Sequence, residues 1–357
     1  MKAAVCYEFG KPLVVEDVTL DPPKKGEVRV RMGATAICHS DIHVIRGELG
    51  FAVPVVAGHE SAGYVEELGE GVTQVKVGDN VVLSLLTACG RCHNCVSGLP
   101  HLCEAKWPLS SESRLHNKEG QALHHMTRTA SFAEYAVVDQ SQVVPIPKEM
   151  PIDRAALLAC GVITGFGAVV NRAIVRPMSC VVVIGTGGVG LNAIQGARIC
   201  GANPIIAVDI LDNKLEASKK FGATHGVRAD GKDPVKDVKD LTGGRGADYV
   251  FVTVGSLSAV QQGYTFLGTR GMLVVVGLPP RGGTVTVPGF MPGERTITSS
   301  NMGTTKLSVE IPKLVDLYKS GKLMLDELIT ARYPIERINE AIEAVEKGQA
   351  LRNVIMF

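Results

Sequence analysis

Cys89, Cys92, Cys95 and Cys103 stand in the run CGRCHNCVSGLPHLC, four thiols within fifteen residues. Thiolates at this spacing converge on a single tetrahedral Zn²⁺, with the loop between them wrapping the ion. Such a site is closed to substrate and reads as structural. A second set differs in kind. Cys38, the pair His59 and Glu60, and Cys160 supply the two-Cys, one-His kit of a zinc that keeps one coordination position open. These residues lie far apart in the chain, so spacing alone does not gather them. Read singly, Cys160 is equally a packed core thiol. Asp41 offers a carboxylate to the non-ligating nitrogen of His59 and fits a helix cap as well. Glu60 is an alternative ligand for moments when substrate or water leaves.

A nucleotide loop follows. Gly185, Gly187, Gly188, Val189 and Gly190 belong to the run GTGGVG, directly after the apolar run 180–184 and before a helix-forming stretch at 191–200. Glycines here permit a tight turn and close approach of a pyrophosphate to a helix N-terminus, whose unpaired N–H groups favour anions. Asp209 stands nineteen residues beyond Gly190, at the end of the next strand-like run. A carboxylate there accepts the adenosine ribose hydroxyls and repels a 2′-phosphate, favouring NAD over NADP. It also fits a helix cap. Lys214, one turn further, can reach the ribose.

The elements that must position these groups fall into two textures. Residues 27–32 alternate polar and apolar as a half-buried strand does, and 53–57 and 77–83 add short strands broken by Gly and Pro. From about residue 161, β-branched runs at 180–184, 205–209, 249–254 and 272–277 alternate with helix-length stretches. That pattern predicts a doubly wound parallel sheet. Beyond about residue 302 come two amphipathic helices, the second with Ile338, Ile342 and Val345 on one face before Gly348. A strand-like end at 353–357 could return to the first domain. The expected organisation is an α/β protein, with one domain of residues 1–160 and 302–357 and another of 161–301.

Bulk composition excludes several classes. A chain of 357 residues, 45% hydrophobic and 20% charged, suits a two-domain globular protein. A net charge of +1 gives no field for gripping nucleic acid or an anionic membrane. No signal sequence is evident, and no apolar run approaches a membrane span. Nine cysteines, four of them spaced for metal, fit a reducing cytoplasm. Cys6, Cys180 and Cys200 read as small buried apolar residues. His93, His101, His116, His124, His125 and His225 read as structural or solvent-facing.

The run Gly58-His59-Glu60-Ser61-Ala62-Gly63, followed by Gly69, Val72, Gly78, Asp79 and Val81, resembles the signature of zinc-containing alcohol dehydrogenases in the medium-chain dehydrogenase/reductase superfamily. The segments 38–43 and 160–165 resemble that family's first and third ligand segments, and the similarity extends from Lys2 to the C-terminus. The resemblance implies a GroES-like β-rich catalytic domain, a Rossmann NAD-binding domain, two Zn²⁺ per chain and NAD as cofactor. It assigns Cys38, His59 and Cys160 to the catalytic zinc and the four clustered cysteines to the structural one. It makes Ser40 the acceptor of the alcohol proton, which passes through the nicotinamide ribose to His43. It puts His39 and Arg352 on the pyrophosphate, and Thr164 and Val189 near the nicotinamide.

The same resemblance implies a homo-oligomer, dimer or tetramer, joined through edge strands around residues 284–300. It lines the substrate pocket with Leu49, Leu85, Trp107, Phe132 and Leu278, which suits an apolar or aromatic alcohol, primary or secondary. Glutathione-dependent formaldehyde dehydrogenases of this family carry an Arg where this chain has Trp107, so that reading would need Arg114 or Arg128 instead. Polyol dehydrogenases of the same fold often replace the third ligand by Glu, and Cys160 opposes them. The zinc-free quinone reductase branch lacks these ligands altogether. A zinc-knuckle nucleic-acid-binding module, allowed by the CxxC pattern alone, conflicts with the near-neutral charge and the nucleotide loop. The polar segment 104–131 shapes either the pocket or a subunit contact.

Overall fold

A computed structural model describes residues 1–288 and 291–357. The chain divides into two compact units, Met1–Cys160 with Lys306–Phe357, and Gly161–Thr305.

In the first unit, strand Glu27–Ala36 is the spine. It pairs antiparallel with Glu60–Leu68, Tyr135–Asp139 and Arg352–Met356. Strands Asn80–Ser84 and Val143–Ile146 continue this seven-stranded sheet on one side, and Ile329–Pro334 on the other. Alternation decides its inner face: Val28, Val30 and Met32 pack with Val65, Val81, Leu83, Val138 and Val143. The C-terminal strand does return to this unit, with Val354 opposite Ala36.

A second, six-stranded sheet runs in the order Val14–Asp17, Lys2–Cys6, Val55–Val56, Ala122–His125, Leu115–His116 and Thr19–Leu20. The polar segment 104–131 therefore contributes two strands to it. Two sequence expectations shift at their edges. The strand read at 77–83 begins only at Asn80, because Gly78 turns the chain at φ 87°, leaving Val77 exposed. The strand read at 53–57 narrows to Val55–Val56.

The second unit is a parallel six-stranded sheet in the order His225–Arg228, Ile205–Asp209, Val181–Ile184, Ala247–Val252, Leu267–Val275, Thr296–Ser299. Val181, Val182 and Val183 are wholly buried, which is why this strand reads as a continuous apolar run. It lies between Ile205–Asp209 and Ala247–Val252, so the strand order reverses at its carboxyl end, the usual seat of a nucleotide. Thr296–Ser299 is an edge strand. Residues 289 and 290, within the stretch expected to join subunits, lie outside the described residues.

One expectation is corrected. The helical run Ile152–Ala173 is 22 residues long and apolar enough to cross a membrane. Its most apolar stretch is 89% buried inside the protein, the mark of a core helix.

Candidate active site and metal centres

Cys38, His59 and Cys160 come together, their ligand atoms within 4.8 Å of one another and all buried. Each arrives on a different element. Cys38 follows the spine strand and caps the short helix His39–Ile45. His59 sits between Val55–Val56 and Glu60–Leu68. Cys160 lies in a π-helical turn, Leu158–Val162, a local widening of the helix that is frequent at functional sites. Ser84 pins that turn by donating from Oγ to the Ala159 carbonyl at 2.6 Å.

Asp41 fills both roles the sequence allowed it. Its Oδ2 accepts from the Cys38 backbone N–H at 2.9 Å, closing the cap. Its Oδ1 accepts from the Gly58 N–H at 3.0 Å and lies 2.8 Å from His59 Nδ1. One buried carboxylate thus fixes two donor-bearing segments and leaves Nε2 as the ligating nitrogen of His59. Gly58 is required here. Its φ is 93°, and an added Cβ would stand 2.6 Å from the Phe132 backbone nitrogen.

The donors fit a divalent metal. His59 Nε2 is buried without a hydrogen-bond partner, as expected of an atom meant for a ligand bond. A hydrogen bond from Cys160 holds the Cys38 thiol well below its ordinary pKa despite burial. The same contact, together with burial, pushes Cys160 well above. Burial opposes a charge on His59, but the Asp41 carboxylate overrides it and raises the imidazole. Protons held by Cys160 and His59 are the ones a zinc ion displaces when thiolate and neutral imidazole become ligands.

Glu60 is fully buried beside this set, and Arg352 Nη2 lies 3.8 Å from its Oε2. Arg352, expected on a pyrophosphate, is itself buried and donates to the Ile37 carbonyl at 3.3 Å. Burial works against its charge, while Glu60 and then Cys38 and Cys160 sustain it. Ser40 and His43 occupy one face of the helix His39–Ile45, three residues apart, and His39 is exposed. His43 Nδ1 pairs with Glu48, a partner that no spacing rule announced.

The other four cysteines also converge, their sulfurs within 4.8 Å and each half-buried. Backbone N–H groups turn inward to them: Cys89 N–H donates to Cys103 Sγ and Cys92 N–H to Cys89 Sγ, both at 3.3 Å. Backbone donors at Glu104 and Cys95 bring the Cys92 thiol down to about 6, whereas burial and the neighbouring Cys92 push Cys95 up to about 12. Such N–H···S bonds stabilise thiolates, the protonation state that a tetrahedral zinc selects.

In the second unit the glycine run forms the turn between strand Val181–Ile184 and helix Gly188–Ile199. Gly185 has φ 86°, and a Cβ on Gly190 would overlap the Gly185 carbonyl oxygen at 1.8 Å. A Cβ on Gly187 would meet nothing within 4 Å. Open space over a helix N-terminus is what a pyrophosphate needs. Asp209 Oδ2 accepts from Thr186 N–H at 2.7 Å and Oγ1 at 2.9 Å, and Oδ1 from Leu211 N–H at 3.1 Å. The carboxylate therefore locks the loop and opens the next helix, at the strand end where a ribose would lie. Lys214 is buried on that helix, Asp212–Phe221. Thr164 and Val189 stand on helices packed so closely that a Cβ on Gly165 would lie 2.0 Å from the Val189 carbonyl oxygen.

The expected pocket lining separates. Phe132 is wholly enclosed in the core of the first unit with Val55, Val56 and Leu123. It is a packing residue, because its backbone lies directly against Gly58. Trp107 lines a small cleft of about 30 Å³ with Lys25, Glu27, Leu109, Arg128, Asp139 and Gln142. Arg114 is taken up by Glu27, at 2.7 and 3.0 Å, and so is not available to bind a substrate carboxylate. His125 is buried and accepts from the Arg114 N–H at 3.1 Å; burial drives it down to about 3. Ser84 and Glu48 were missed in the sequence because nothing in their spacing marks them.

Residues 24–148 match the alcohol dehydrogenase GroES-like domain, and residues 188–320 match the zinc-binding dehydrogenase domain. A Mycobacterium tuberculosis protein named "Putative alcohol dehydrogenase D" is 38% identical over 365 residues, covering 99% of each chain. A zinc-binding-domain alcohol dehydrogenase protein from Burkholderia ambifaria superposes with a TM-score of 0.95 at 35% identity, covering 100% of this chain and 98% of the other. Benzyl alcohol dehydrogenase from Acinetobacter calcoaceticus gives 0.92 at 34% identity, covering 100% and 99%.

Proposed function

We propose that this chain, which belongs to the zinc-containing alcohol dehydrogenases of the medium-chain dehydrogenase/reductase superfamily, oxidises apolar or aromatic alcohols reversibly with NAD. The observation that carries the reading is the buried Cys38, His59 and Cys160 set, three donors with His59 Nε2 awaiting a ligand bond. Bound there, zinc would supply Lewis-acid polarisation of an alcohol oxygen, and NAD would supply the hydride acceptor. Asp41 holds His59 in the ligating tautomer. Ser40 Oγ accepts the alcohol proton, and His43, on the same helix face, hands it to solvent with Glu48 at its Nδ1. Arg352 balances the negative charge gathered by Glu60 and the two thiolates.

NAD over NADP is supported by the Asp209 carboxylate at the strand end, which disfavours a 2′-phosphate. An aromatic substrate is supported by the likeness to benzyl alcohol dehydrogenase. Family membership also supports a homo-oligomer, and nine free cysteines suit the cytoplasm. The test is initial-rate reduction of NAD and of NADP with benzyl alcohol, ethanol, a polyol and hydroxymethylglutathione. Benzyl alcohol with NAD should give the largest kcat/KM. A preference for the polyol or the glutathione adduct would assign the chain to another branch of the fold.

A further inference from the structure

Asp41 aligns the segments that carry Cys38 and His59. The segment that carries Cys160 is held by a different residue, Ser84. Ser84 ends the strand Asn80–Ser84 and is wholly buried. In the antiparallel ladder it stands opposite Glu60, the first residue of strand Glu60–Leu68 and the neighbour of His59. Its Oγ donates to the Ala159 carbonyl at 2.6 Å, one residue before Cys160. Ser84 therefore meets the second ligand's segment through its backbone and the third ligand's segment through its side chain.

The rest of this strand is apolar where it is most enclosed: Val81, Val82 and Leu83 are all wholly buried. A hydroxyl in such a place is costly unless its hydrogen bond is made. It has a single proton to donate, and burial leaves it no solvent alternative. The backbone behind it is fixed as well. Gln142, wholly buried, donates from Nε2 to the Ser84 carbonyl at 3.0 Å, and its Oε1 accepts from the Asp139 N–H at 3.3 Å. Gln142 leads into strand Val143–Ile146, whose Val143 pairs with Leu83. The hydroxyl is thus presented from a sheet rather than from a loop. At the acceptor end, a peptide unit is planar. Holding the Ala159 oxygen therefore also fixes the Ala159–Cys160 plane and the Cys160 Cα within it.

We propose that Ser84 is the positioning residue of the third ligand: its hydroxyl, set by the pairing with Glu60 and by Gln142, orients the Ala159–Cys160 peptide so that the Cys160 sulfur faces the same ion as Cys38 and His59. The inference rests on the reading that these three residues bind zinc. Asp41 and Ser84 then complement one another, the first joining the Cys38 and His59 segments and the second joining those of His59 and Cys160. A sulfur released from this hold would still lie near the metal but would leave it more readily.

The test compares Ser84→Ala, which removes the donor, with Ser84→Thr, which keeps it, in full-length protein. Zinc release to a colorimetric chelator is timed, and the phase due to the four-cysteine lobe is identified from protein carrying Cys160→Ala. Ser84→Ala should release the catalytic zinc about tenfold faster, the low end of what loss of an outer-shell partner costs, and leave the lobe's phase unchanged. Cobalt at the catalytic set should show a weaker sulfur-to-metal charge-transfer band in Ser84→Ala. Ser84→Thr should match the parent in both readouts. Parent-like release with a parent-like spectrum in Ser84→Ala would overturn the inference. Equal acceleration of both phases would overturn it too, since that marks general loosening, as would Ser84→Thr behaving like Ser84→Ala. If Ser84→Ala does not fold, Gln142→Met, which keeps the hydroxyl but frees the Ser84 carbonyl, carries the same readouts with a smaller shift in the same direction. Elemental analysis of the parent protein distinguishes the other failure: fewer than two zinc ions per chain sinks the two-zinc reading itself.

Discussion

The four-cysteine lobe and the Cys38–His59–Cys160 set use related donors in opposite constructions. The lobe takes all its ligands from one short stretch, leaves them half-exposed, and satisfies its sulfurs with N–H groups of its own turns. The other set draws on three separate elements, buries every ligand, and is aligned by a carboxylate, Asp41, that belongs to the helix capped by Cys38. A local site can fold around its metal, so its geometry depends on the ion. A dispersed site is set by packing before any metal arrives, so its ion depends on the fold. The first construction suits stability. The second suits catalysis, where one position must stay open and the remaining ligands must not drift into it.

Removing one ligand from each region is the sharpest way to break this contrast. Cys160→Ala should lower zinc from two ions to about one per chain, and activity by about a thousandfold or more, with little change in thermal stability. Elemental mass spectrometry beside an alcohol-oxidation assay reads both. Full activity with one zinc would place the chemistry elsewhere. Cys103→Ala should act the other way round, costing several kcal/mol of stability through the lost metal. A thermal melt with and without chelator checks it. An unchanged melting temperature would mean that the lobe holds its shape without zinc.

Asp41→Asn tests the alignment of the dispersed site. Loss of an outer-shell partner of this kind costs about 10–100-fold in metal affinity or activity. Metal retention on dilution should fall at the catalytic set and not at the lobe. Equal loss from both would show that Asp41 serves general folding.

The smallest effect concerns His125, on the strand Ala122–His125. His125, held to about 3 by burial, is neutral in the folded state. An unfolded imidazole titrates near pH ~6.5, so His125's contribution is complete above that and falls by up to about 1.4 kcal/mol per pH unit toward pH 3. Urea midpoints measured from pH 7.5 to 4.5 should drop more steeply in the parent than in His125→Phe. Parallel curves would remove His125 from the acid response.

Much was legible in the sequence because it depends on neighbours in the chain. The spacing of Cys89, Cys92, Cys95 and Cys103 foretold a cluster, since a short loop cannot hold four thiols far apart. Period-two alternation in 27–32 and the β-branched run before Gly185 foretold a sheet with one buried inner face and a sheet buried on both. The glycines of the nucleotide loop had to be glycines, because a side chain at 190 would enter the Gly185 carbonyl.

Tertiary structure alone decided the rest, because those contacts cross long separations that no local pattern encodes. Residue types and a family resemblance named Cys38, His59 and Cys160, but only the sheet and the π-helical turn bring their ligand atoms within 4.8 Å. Asp41 had two readings until the fold let one carboxylate perform both. Phe132 looked like a pocket residue until the approach of its backbone to Gly58 enclosed it in the core. Arg114 looked available until Glu27, 87 residues away, claimed it at both oxygens. Each outcome turned on which distant group reached a buried polar atom or filled a space first. Burial leaves such atoms no solvent to fall back on, so the partner is chosen by the three-dimensional packing.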